Sequence, residues 1–450
     1  MSAAEKLREA GVGEAAVQTF ERQLALLREG EAGALPESEL EPVQDVPDMD
    51  ELPEDGETAR AALDRVVVLK LNGGLGTSMG MTQAKSLLPV KEGRSFLDVI
   101  AAQVLGLRQR TGARVPLVLM DSFATREDSL AALRRHEGIE ADVPLDFLQN
   151  KVPKLDAESL EPVTWEADPD KEWAPPGHGD LYVALQTSGM LEQLLGAGYR
   201  WAFVSNADNL GAVLDERILA WVVREEIPFA MEVADRTAAD RKGGHLARRR
   251  DGGGLVLREI AQTPDEDVDA FQDTARHRFF NTNTLWVDLE ALAATLRARD
   301  GVLGLPMIVN RKTVDPGDKS STPVIQLETA MGAAIDVFEG AAALRVPRTR
   351  FAPVKTTNDL LGVRSDAYVV ADDGSLQLDP SRTAPPVIDL DPDHFKLVAD
   401  FEARFPSGPP SLVRCDRLVV RGDVRFGADV VVEGEVEVGE DVPDGARLVG

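Results

Sequence analysis

The chain alternates between segments with helical spacing and short runs of continuous apolar residues. In the first thirty residues, apolar side chains recur every three or four positions until Gly30 and Gly33 interrupt the pattern, which predicts one or two helices. Residues 31 to 60 carry four prolines among many carboxylates. That composition predicts an extended connector packed over the surface or partly mobile.

Four apolar runs predict strands that are buried on both faces. They are VVVLKL (66 to 71), VPLVLM (115 to 120), WAFV (201 to 204) and PFAMEV (228 to 233). Amphipathic segments separate them, a pattern typical of a doubly wound α/β sheet covered by helices. Because ligands bind beyond the carboxyl ends of the strands in such sheets, we expect the site where these runs end.

The C-terminus has a different, six-residue period. Written from Leu418 it reads LVVRGD, VRFGAD, VVVEGE, VEVGED, with apolar residues at the first and third positions of every hexad. A six-residue period with recurring glycine favours a small parallel β-helix over a pair of hairpins, because hairpins explain the alternation but not the period. We therefore divide the chain into an acidic helical segment and connector (1–60), a catalytic domain (61–365), a linking region (366–410) and a β-helix domain (411–450).

Composition excludes several classes of function. The chain has 450 residues and a net charge of −28, which argues against a general nucleic-acid-binding surface. Residues 1 to 60 alone hold 16 acidic and 5 basic side chains, which we interpret as a solubility feature. A lone Cys415 cannot form an intrachain disulfide, and no apolar run approaches the length of a membrane helix. We expect a soluble cytoplasmic protein without membrane or nucleic-acid partners.

A glycine-rich loop follows the first apolar run. The segment LNGGLGTSMGMTQAK (71 to 85), with its flanking residues, has the order strand, glycine-rich turn, helix, in which backbone N–H groups can face phosphate oxygens. It matches neither GxxxxGK[ST] nor GxGxxG, so a P-loop kinase and a dinucleotide-binding fold both lose support. Taken alone, such a loop is more often only a turn.

Other polar residues have both a chemical and a structural explanation. Asp208 follows an apolar strand and can hold Mg²⁺, which needs only one or two carboxylates besides substrate oxygens, but it can equally end the strand or cap a helix. Lys85 is either a phosphate ligand or a solvated charge. Gln149 offers a primary amide that can read uracil or lie on the surface, and His178 stands between two glycines where it can cap carbonyls.

Eight ordered blocks decide among these alternatives. The loop KLNGGLGTSMG with AKSLLPV, and then PPGHGD, FVSNADNLGA, KGG, EIAQ, FNTNTLWV, VIQLETAMGAA and RFAPVKTTNDLL, resemble the signature of eukaryotic-type UDP-glucose pyrophosphorylases. The resemblance covers roughly residues 60 to 365, and the hexads resemble the β-helix of that family. It implies a GT-A-like nucleotidyltransferase domain, a Rossmann-like mixed sheet flanked by helices, followed by a left-handed parallel β-helix.

The resemblance also assigns roles to individual residues. Lys85, Lys355 and Asp208 match residues that the family uses in catalysis, and Asp208 matches its Mg²⁺ ligand. The positions that match nucleotide contacts are Leu71, Asn72, Gly73, Gly74, Lys85, Gln149, Gly177, Asp208 and Lys355. The positions that match sugar-phosphate contacts are His178, Asn206, Gly243, Glu259 and Asn283.

The implied reaction joins UTP and α-D-glucose 1-phosphate to give UDP-glucose and pyrophosphate. A phosphate monoester with a second pKa near about 6 is already mostly dianionic at pH 7, so the reaction needs positioning and charge neutralisation rather than a general base. The chain fits this requirement, because it offers no Ser/His/Asp or Cys/His motif.

Two alternatives remain open at this stage. One is a UDP-sugar pyrophosphorylase of other or broad specificity; such enzymes commonly carry GGxGTRLG, whereas this chain has Ser78 at the arginine position. The other is a non-catalytic UDP-sugar-binding scaffold, which would tolerate loss of the three catalytic residues.

The chain departs from the family pattern at TQAKS (82 to 86), where KGPKS is usual, and at Ala207, where a bulkier residue is usual. A homo-oligomer through the β-helix is also possible.

Overall fold

A computed structural model describes residues 1–30, 33–237, 240–371 and 374–450. Within these ranges the helices, in chain order, are α1 Ala3–Glu9, α2 Glu14–Glu29, α3 Gly56–Leu63, α4 Phe96–Thr111, α5 Arg126–Leu133, α6 Leu181–Thr187, α7 Met190–Gly196, α8 Glu216–Arg224, α9 Val268–Gln272, α10 Leu289–Ala298, α11 Thr357–Arg364, α12 Pro392–Phe395 and α13 Val398–Arg404. The strands are β1 Leu40–Pro42, β2 Val66–Asn72, β3 Pro89–Lys91, β4 Arg94–Ser95, β5 Leu117–Asp121, β6 Asp146–Leu148, β7 Val152–Pro153, β8 Leu155–Asp156, β9 Trp173–Ala174, β10 Trp201–Asn206, β11 Phe229–Asp235, β12 His245–Arg249, β13 Leu255–Arg258, β14 Phe279–Asp288, β15 Met307–Thr313, β16 Pro323–Thr329, β17 Ala342–Arg345, β18 Tyr368–Val370, β19 Leu376–Leu378, β20 Val387–Leu390, β21 Ser411–Val420, β22 Val431–Val438 and β23 Arg447–Val449.

A large mixed sheet forms the centre of the molecule. Its main order is β1-β12-β14-β10-β2-β5-β6, with β11 and β17 joined beyond β14 and β13 beside β12. The neighbours β10, β2, β5 and β6 run parallel, whereas β14 is antiparallel to β10, β11 and β12. All four predicted apolar runs are strands of this sheet, so that prediction is confirmed.

Strand β2 shows why those runs are continuously apolar. Val66 and Val68 belong to one core cluster, and Val67 and Leu69 belong to a second cluster on the opposite face. Because side chains alternate across a strand and both faces are covered, every position of β2 except Lys70 and Asn72, near its carboxyl end, is apolar. The mixed α/β architecture is therefore a consequence of burial on both faces.

The N-terminal segment combines helices with a strand. Helices α1 and α2 confirm the predicted helical pattern, and Gly30 ends α2 in a left-handed conformation. The extended-connector prediction for residues 31 to 60 is only partly right: positions 31 and 32 lie outside the described residues, β1 adds to the central sheet by pairing with β12, and α3 starts at Gly56. Pairing with an open sheet edge, a long-range contact, turned part of a polar connector into a strand.

The segment after the glycine-rich loop differs from the expected incoming helix. Lys85 begins a single 3₁₀ turn, Lys85–Leu87, and the hairpin of β3 and β4 precedes the first α-helix, α4. Gly76 and Gly80 both have positive φ, and a left-handed residue cannot continue a right-handed helix. Lys85 therefore sits on a loop that is folded back on itself.

The C-terminal strands form a separate parallel sheet in the order β20-β21-β22-β23. An additional parallel bridge joins Phe426 to Val442. Nearly all first and third positions of the hexads are buried, namely Leu418, Val420, Val424, Phe426, Val430, Val432 and Val438. The inward-facing positions were thus predicted correctly, and what the structure establishes is a parallel sheet. The domain boundaries stay a prediction; positions 372 and 373 of the linking region lie outside the described residues.

No helix within the described ranges is both long and apolar enough to cross a membrane.

Candidate functional site

The carboxyl ends of the parallel strands meet at one edge of the central sheet. Asn206 ends β10 opposite Leu71 of β2, and Asn72 ends β2 opposite Asp121 of β5. Gln149 directly follows β6, and its N–H donates to the Asp121 carbonyl at 2.8 Å. The predicted location of the site, beyond these strand ends, therefore holds an array of polar groups.

A cavity of about 290 Å³ opens at this edge, and we call it the nucleotide-side cavity. Ten of the predicted site residues line it: Leu71, Asn72, Gly73, Gly74, Lys85, Gln149, Gly177, His178, Asn206 and Asp208. The structure thus brings together residues that are more than one hundred positions apart in sequence. Gly243, Glu259, Asn283 and Lys355 do not line this cavity.

Lys85 and Asp208 form an ion pair in the cavity wall. Lys85 Nζ lies 2.6 Å from Asp208 Oδ2, and the side chains are 16% and 21% exposed. The other oxygen, Asp208 Oδ1, is buried and has no hydrogen-bond partner within the described part of the chain. An unpaired buried carboxylate oxygen is costly unless a ligand completes it, so Oδ1 fits a cation that also contacts phosphate oxygens.

The described residues contain no cluster of three or more His, Cys, Asp or Glu side chains arranged for a metal. This agrees with a single-carboxylate site, because Mg²⁺ commonly takes most of its ligands from water and substrate phosphates.

The side chain of Asn72 turns away from the cavity. Its Nδ2 donates to Asp121 Oδ1 at 2.6 Å and to Ser129 Oγ at 2.8 Å. Burial raises the pKa of Asp121 to about 7. Asn72 therefore presents its backbone to the cavity, whereas its side chain ties the ends of β2 and β5 together.

Two glycines allow close approach of neighbouring groups. A Cβ at Gly73 would lie 2.6 Å from Gln149 Oε1, so the Gln149 amide packs directly on the loop backbone. Gly177 has φ +80° and ψ 169°, and a Cβ there would lie 2.5 Å from the Thr329 carbonyl oxygen. Such backbone angles are essentially restricted to glycine. Both positions are glycine for reasons of space or backbone conformation.

His178 is a neutral donor. The Met331 N–H donates to His178 Nδ1 at 3.0 Å. Burial lowers the pKa of His178 to about 4, so the imidazole is uncharged at pH 7. Because Nδ1 accepts, the ring proton is on Nε2, which is left to donate to a ligand.

Three of the remaining predicted site residues lie near one another, on antiparallel strands and the turns that connect them. We call these three residues, Gly243, Glu259 and Asn283, the sugar-side cluster. The Glu259 carboxylate lies against Gly244, where a Cβ would be 2.5 Å from Oε1. Gly244, rather than Gly243, therefore makes the close approach. The Gly244 carbonyl accepts from Asn281 N–H at 3.1 Å, which links this turn to β14.

Asn283 sits at a bulge. The register of β11 against β14 shifts between Glu232 and Val233, and Asn283 has φ +56°. The Asn283 N–H donates to Asn281 Oδ1 at 2.8 Å, and Asn281 Nδ2 donates back to Asn283 Oδ1 at 2.9 Å. Bulges re-aim side chains and often occur beside active sites. Asparagine is among the few non-glycine residues that adopt this left-handed conformation readily, so the residue type suits the bulge.

Lys355 lies between the two parts of the site. It follows Val354, whose N–H donates to the Asp208 carbonyl at 3.2 Å. The exposed Lys355 side chain lies over the Phe351 ring at 6.0 Å. Burial raises the pKa of Glu259 to about 7, and the charge of Lys355 acts in the opposite direction. Lys355 thus directly follows a residue that is hydrogen-bonded to the Asp208 turn, and it is close enough to influence the sugar-side cluster.

Sequence reasoning missed several lining residues. Ser86, Met120, Pro175 and Ala207 also face the cavity. Three of them adjoin predicted residues within the same blocks, which was the available signal. Sequence reasoning also missed Lys70, whose buried Nζ donates to Ser205 Oγ at 2.6 Å and whose pKa burial lowers to about 7. It stands out in the sequence as a lysine inside an apolar run.

A larger cavity, of about 390 Å³, lies on the other side of the GHG loop against α2. Among the described residues the two cavities share no lining residue, although Pro176 and Gly179 of the larger one flank Gly177 and His178, and neither Lys85, Lys355 nor Asp208 lines the larger cavity. We place the candidate site at the smaller cavity, because that is where the unpaired carboxylate oxygen, the ion pair and the strand ends converge.

Comparisons with known proteins found similar sequences that cover most of the chain. The family model described as UTP--glucose-1-phosphate uridylyltransferase matches residues 17–433. The UTP--glucose-1-phosphate uridylyltransferase of Hordeum vulgare is 44% identical over 405 residues, which is 88% of this chain and 83% of the relative. The enzyme of that name from Saccharomyces cerevisiae is 42% identical over 394 residues, covering 86% and 77%.

Solved structures show the same likeness. A point mutant of UDP-glucose pyrophosphorylase from Leishmania major, in complex with UDP-glucose, superposes with a TM-score of 0.93 at 47% identity and covers 100% of this chain and 98% of that chain. A UDP-glucose phosphorylase structure from Trypanosoma brucei has a TM-score of 0.90 at 47% identity, with the same coverage. The fold is therefore shared along nearly the whole chain.

Proposed function

Because the chain belongs to the UTP--glucose-1-phosphate uridylyltransferase family, we propose that it transfers the uridylyl group of UTP to α-D-glucose 1-phosphate, giving UDP-glucose and pyrophosphate. The observation that carries the proposal is the nucleotide-side cavity, where Lys85 and a half-satisfied Asp208 face the glycine-rich loop. Nucleotidyl transfer requires a loop that can bind phosphate, positive charge and a carboxylate in one place. The glycine-rich loop, the Lys85 ammonium and the Asp208 carboxylate meet these requirements in one cavity.

The transfer is an in-line displacement. A phosphate oxygen of glucose 1-phosphate bonds to the α-phosphorus of UTP, the bond from that phosphorus to the bridging oxygen breaks, and pyrophosphate leaves with the electron pair. The sugar phosphate is mostly dianionic at pH 7, with a second pKa near about 6, so no protein base has to remove a proton. The work of the site is to align two polyanions and to offset their charge.

Positive charge for the phosphates comes from Lys85 and Lys355, and a further hydrogen-bond donor comes from His178. Lys85 is held by Asp208 and can change partner when the triphosphate enters, since an ammonium has three donors on a flexible stem. His178 Nε2–H donates without adding charge. We propose that Lys355 and His178 contact the phosphate of the incoming sugar or of UTP from the side of the sugar-side cluster.

Mg²⁺ is part of the proposal. Asp208 Oδ1 would hold the ion, and the ion would offset triphosphate charge when bound. The unpaired state of Oδ1 in the described structure supports this assignment.

The base and the sugar meet different kinds of group. We propose that uracil and ribose lie on the backbone of residues 71 to 74 with Gln149 and Gly177, and that Asn206, Gly243, Glu259 and Asn283 contact the hexose or its phosphate. Rejection of a hexose epimer requires polar groups that would be left unpaired by the wrong sugar, and Glu259 and Asn283 are of that kind.

The decisive experiment is an assay of pyrophosphate release. The chain is incubated with UTP, Mg²⁺ and either glucose 1-phosphate, galactose 1-phosphate or N-acetylglucosamine 1-phosphate, with a Mg²⁺-chelated sample as control. We expect release with glucose 1-phosphate that depends on Mg²⁺. If none of the sugar 1-phosphates gives pyrophosphate release, the scaffold alternative remains. A preference for N-acetylglucosamine 1-phosphate would replace the assigned specificity.

Finer features of the architecture also belong to the proposal. We propose that the catalytic part is GT-A-like and that the C-terminal sheet is a turn-by-turn left-handed β-helix, supported by the hexad period and the buried hexad positions. We propose a cytoplasmic location as well; it is supported by the cysteine count, because the lone Cys415 cannot form an intrachain disulfide.

We also propose self-association through the C-terminal sheet. Strand β23 is one edge of that sheet, and Val449 on it is 67% exposed. Open edges with apolar side chains favour pairing with another strand. Light scattering would compare the intact chain with Val449→Asp and with Val387→Asp on β20, the opposite edge. Because Val387 is also exposed, at 57%, the variant that lowers the mass identifies the edge that pairs; a monomer in all three samples, or an oligomer of the same mass in all three, would contradict the proposal.

A further inference from the structure

Asp208 and Lys355 are held together by one buried side chain that neither role accounts for. Asn209 is 2% exposed and directly follows Asp208. Its Nδ2 donates to the Arg350 carbonyl at 3.0 Å, and its Oδ1 accepts from the Ala352 N–H at 3.0 Å. Every heteroatom of the carboxamide thus contacts the segment that leads to Lys355.

Backbone contacts continue this connection toward Lys355. Asn209 and Pro353 form an isolated β-bridge, and Val354 N–H donates to the Asp208 carbonyl. Asn209 Oδ1 also accepts from Gly211 N–H at 3.3 Å, which closes the turn after Asp208. The carboxamide therefore clamps the Asp208 turn and the Lys355 segment in one register.

The segment is fixed independently to the central sheet. Arg350 binds Glu232 with Nε and with a terminal nitrogen, both at 2.7 Å, and its side chain also donates to the Val213 carbonyl. Glu232 in addition accepts from Trp286 Nε1 at 3.0 Å. The ion pair sets where the segment begins, but the contacts of Asn209 set how it lies against the Asp208 turn.

We propose that Asn209 is a positioning residue for uridylyl transfer, which places the Lys355 ammonium relative to the Asp208 carboxylate. This inference rests on the proposed function. The reason is geometric: a misplacement of about 1 Å of a charge that acts on the transferred phosphate can cost about 100-fold in rate. A buried amide that only closed a turn would affect stability without involving Lys355.

The test is a double-mutant cycle in the full-length chain, with pyrophosphate release as readout. Asn209→Ala, Lys355→Met and the double variant are compared with the wild type. We expect Asn209→Ala to lower kcat about 10- to 100-fold, with a smaller change in KM for UTP. In the Lys355→Met background the same substitution is expected to change kcat less than about 2-fold, because the positioned group is gone.

Two further variants keep the cycle interpretable. Asn209→Asp preserves the shape and the acceptor for Ala352 but turns an oxygen toward the Arg350 carbonyl, so it is expected to reproduce the loss in kcat; because the buried carboxylate also destabilises the fold, kcat is compared below the melting temperature of each variant. Gln103→Ala is the matched control: its buried amide also joins two backbone segments, at Leu210 and Gly374, but does not touch residues 350 to 355. We expect Gln103→Ala to lower the melting temperature without coupling to Lys355.

The outcomes separate this inference from the proposed function. If the wild-type chain releases no pyrophosphate with any sugar 1-phosphate, the proposed function fails and the positioning role fails with it. If the wild type is active and the losses of Asn209→Ala and Lys355→Met multiply in the double variant, the function stands and the positioning role is wrong. A folded Asn209→Ala with wild-type kcat would overturn it equally.

Discussion

The nucleotide-side cavity and the sugar-side cluster are built by different means. The cavity lies at the carboxyl ends of parallel strands, and glycines and backbone groups form much of its wall. The cluster lies on antiparallel strands and turns, where side chains such as Glu259 and Asn283 are aimed by a bulge and by glycine contacts. Backbone walls suit a ligand shared by many enzymes, whereas aimed side chains suit discrimination between sugars.

The largest expected effect lies where the two regions meet, at Asp208. Asp208→Asn keeps the shape of the side chain but removes the charge that holds Lys85 and faces the proposed cation. We expect kcat to fall on the order of 10²- to 10³-fold, as for loss of a preorganised charge-stabilising group. Pyrophosphate release measured over a Mg²⁺ titration checks this.

Asp215→Asn is the matched control for that change. Asp215 caps α8 through the N–H groups of Arg217 and Ile218, and asparagine caps a helix about as well. Its kcat is expected to stay at the wild-type value; an equal loss in both variants would show that the Asp208 effect is one of general folding.

The backbone character of the cavity is tested by Gly177→Ala. The new Cβ would meet the Thr329 carbonyl at 2.5 Å in a backbone conformation reserved for glycine, which costs on the order of 1–3 kcal/mol before the clash is added. Gly112→Ala is the control, because Gly112 also has positive φ but a methyl group there would have no atom within 4 Å. Chemical denaturation should show the larger loss for Gly177→Ala; equal losses would remove the close approach from the explanation.

The division of labour is tested by a pair of substrate titrations. Glu259→Gln is expected to raise KM for glucose 1-phosphate about 10-fold, equivalent to about 1.4 kcal/mol, while KM for UTP is unchanged. Gln149→Ala is expected to do the reverse. Steady-state kinetics with each substrate varied in turn decide this, and a variant that changes both constants alike would break the comparison between the two regions.

The smallest effect is a pH dependence of stability at Glu259. Burial raises the pKa of this carboxyl from 4.5 to about 7, so between these values the folded state keeps a proton that the unfolded state has lost. Its contribution to stability is therefore present below pH 4.5 and is lost as the pH rises to 7. Glu259→Gln should gain stability relative to wild type over this range, and thermal unfolding at pH 5 and pH 8 measures it. Glu266→Gln, a substitution of an exposed glutamate, serves as the control for the loss of one carboxylate elsewhere on the chain.

Parts of the fold could be predicted because their cause is local. Strand β2 and its neighbours were visible as apolar runs, since burial on both faces confines polar residues such as Lys70, Asn72 and Asp121 to the carboxyl ends of the strands. The inward positions of the C-terminal hexads were visible from their period. Strand β1 was not visible, because its pairing with β12 depends on an edge formed by residues some two hundred positions away.

The candidate site divides in the same way. The resemblance of the blocks named residues such as Lys85 and Asp208, but only their spatial arrangement showed that they form an ion pair with one carboxylate oxygen left unsatisfied. Asn72 was predicted to contact the nucleotide, yet its side chain donates to Asp121, which lies opposite it on the neighbouring strand β5. Asn209 lies in the block FVSNADNLGA, but nothing in the sequence indicates that its side chain joins two distant segments.

The amino-acid sequence by itself determined which four apolar runs are strands of the central sheet, which hexad positions face inward, and which family of chemistry the blocks resemble. These depend on alternation and on local composition, which are written in neighbouring residues. Only the tertiary structure decided which side chains face the ligand, that Asn283 lies at a bulge, and that Asn209 joins Asp208 to the Lys355 segment. Those features arise from packing between distant segments, and no local pattern encodes the position of a partner that the chain meets only after it has folded.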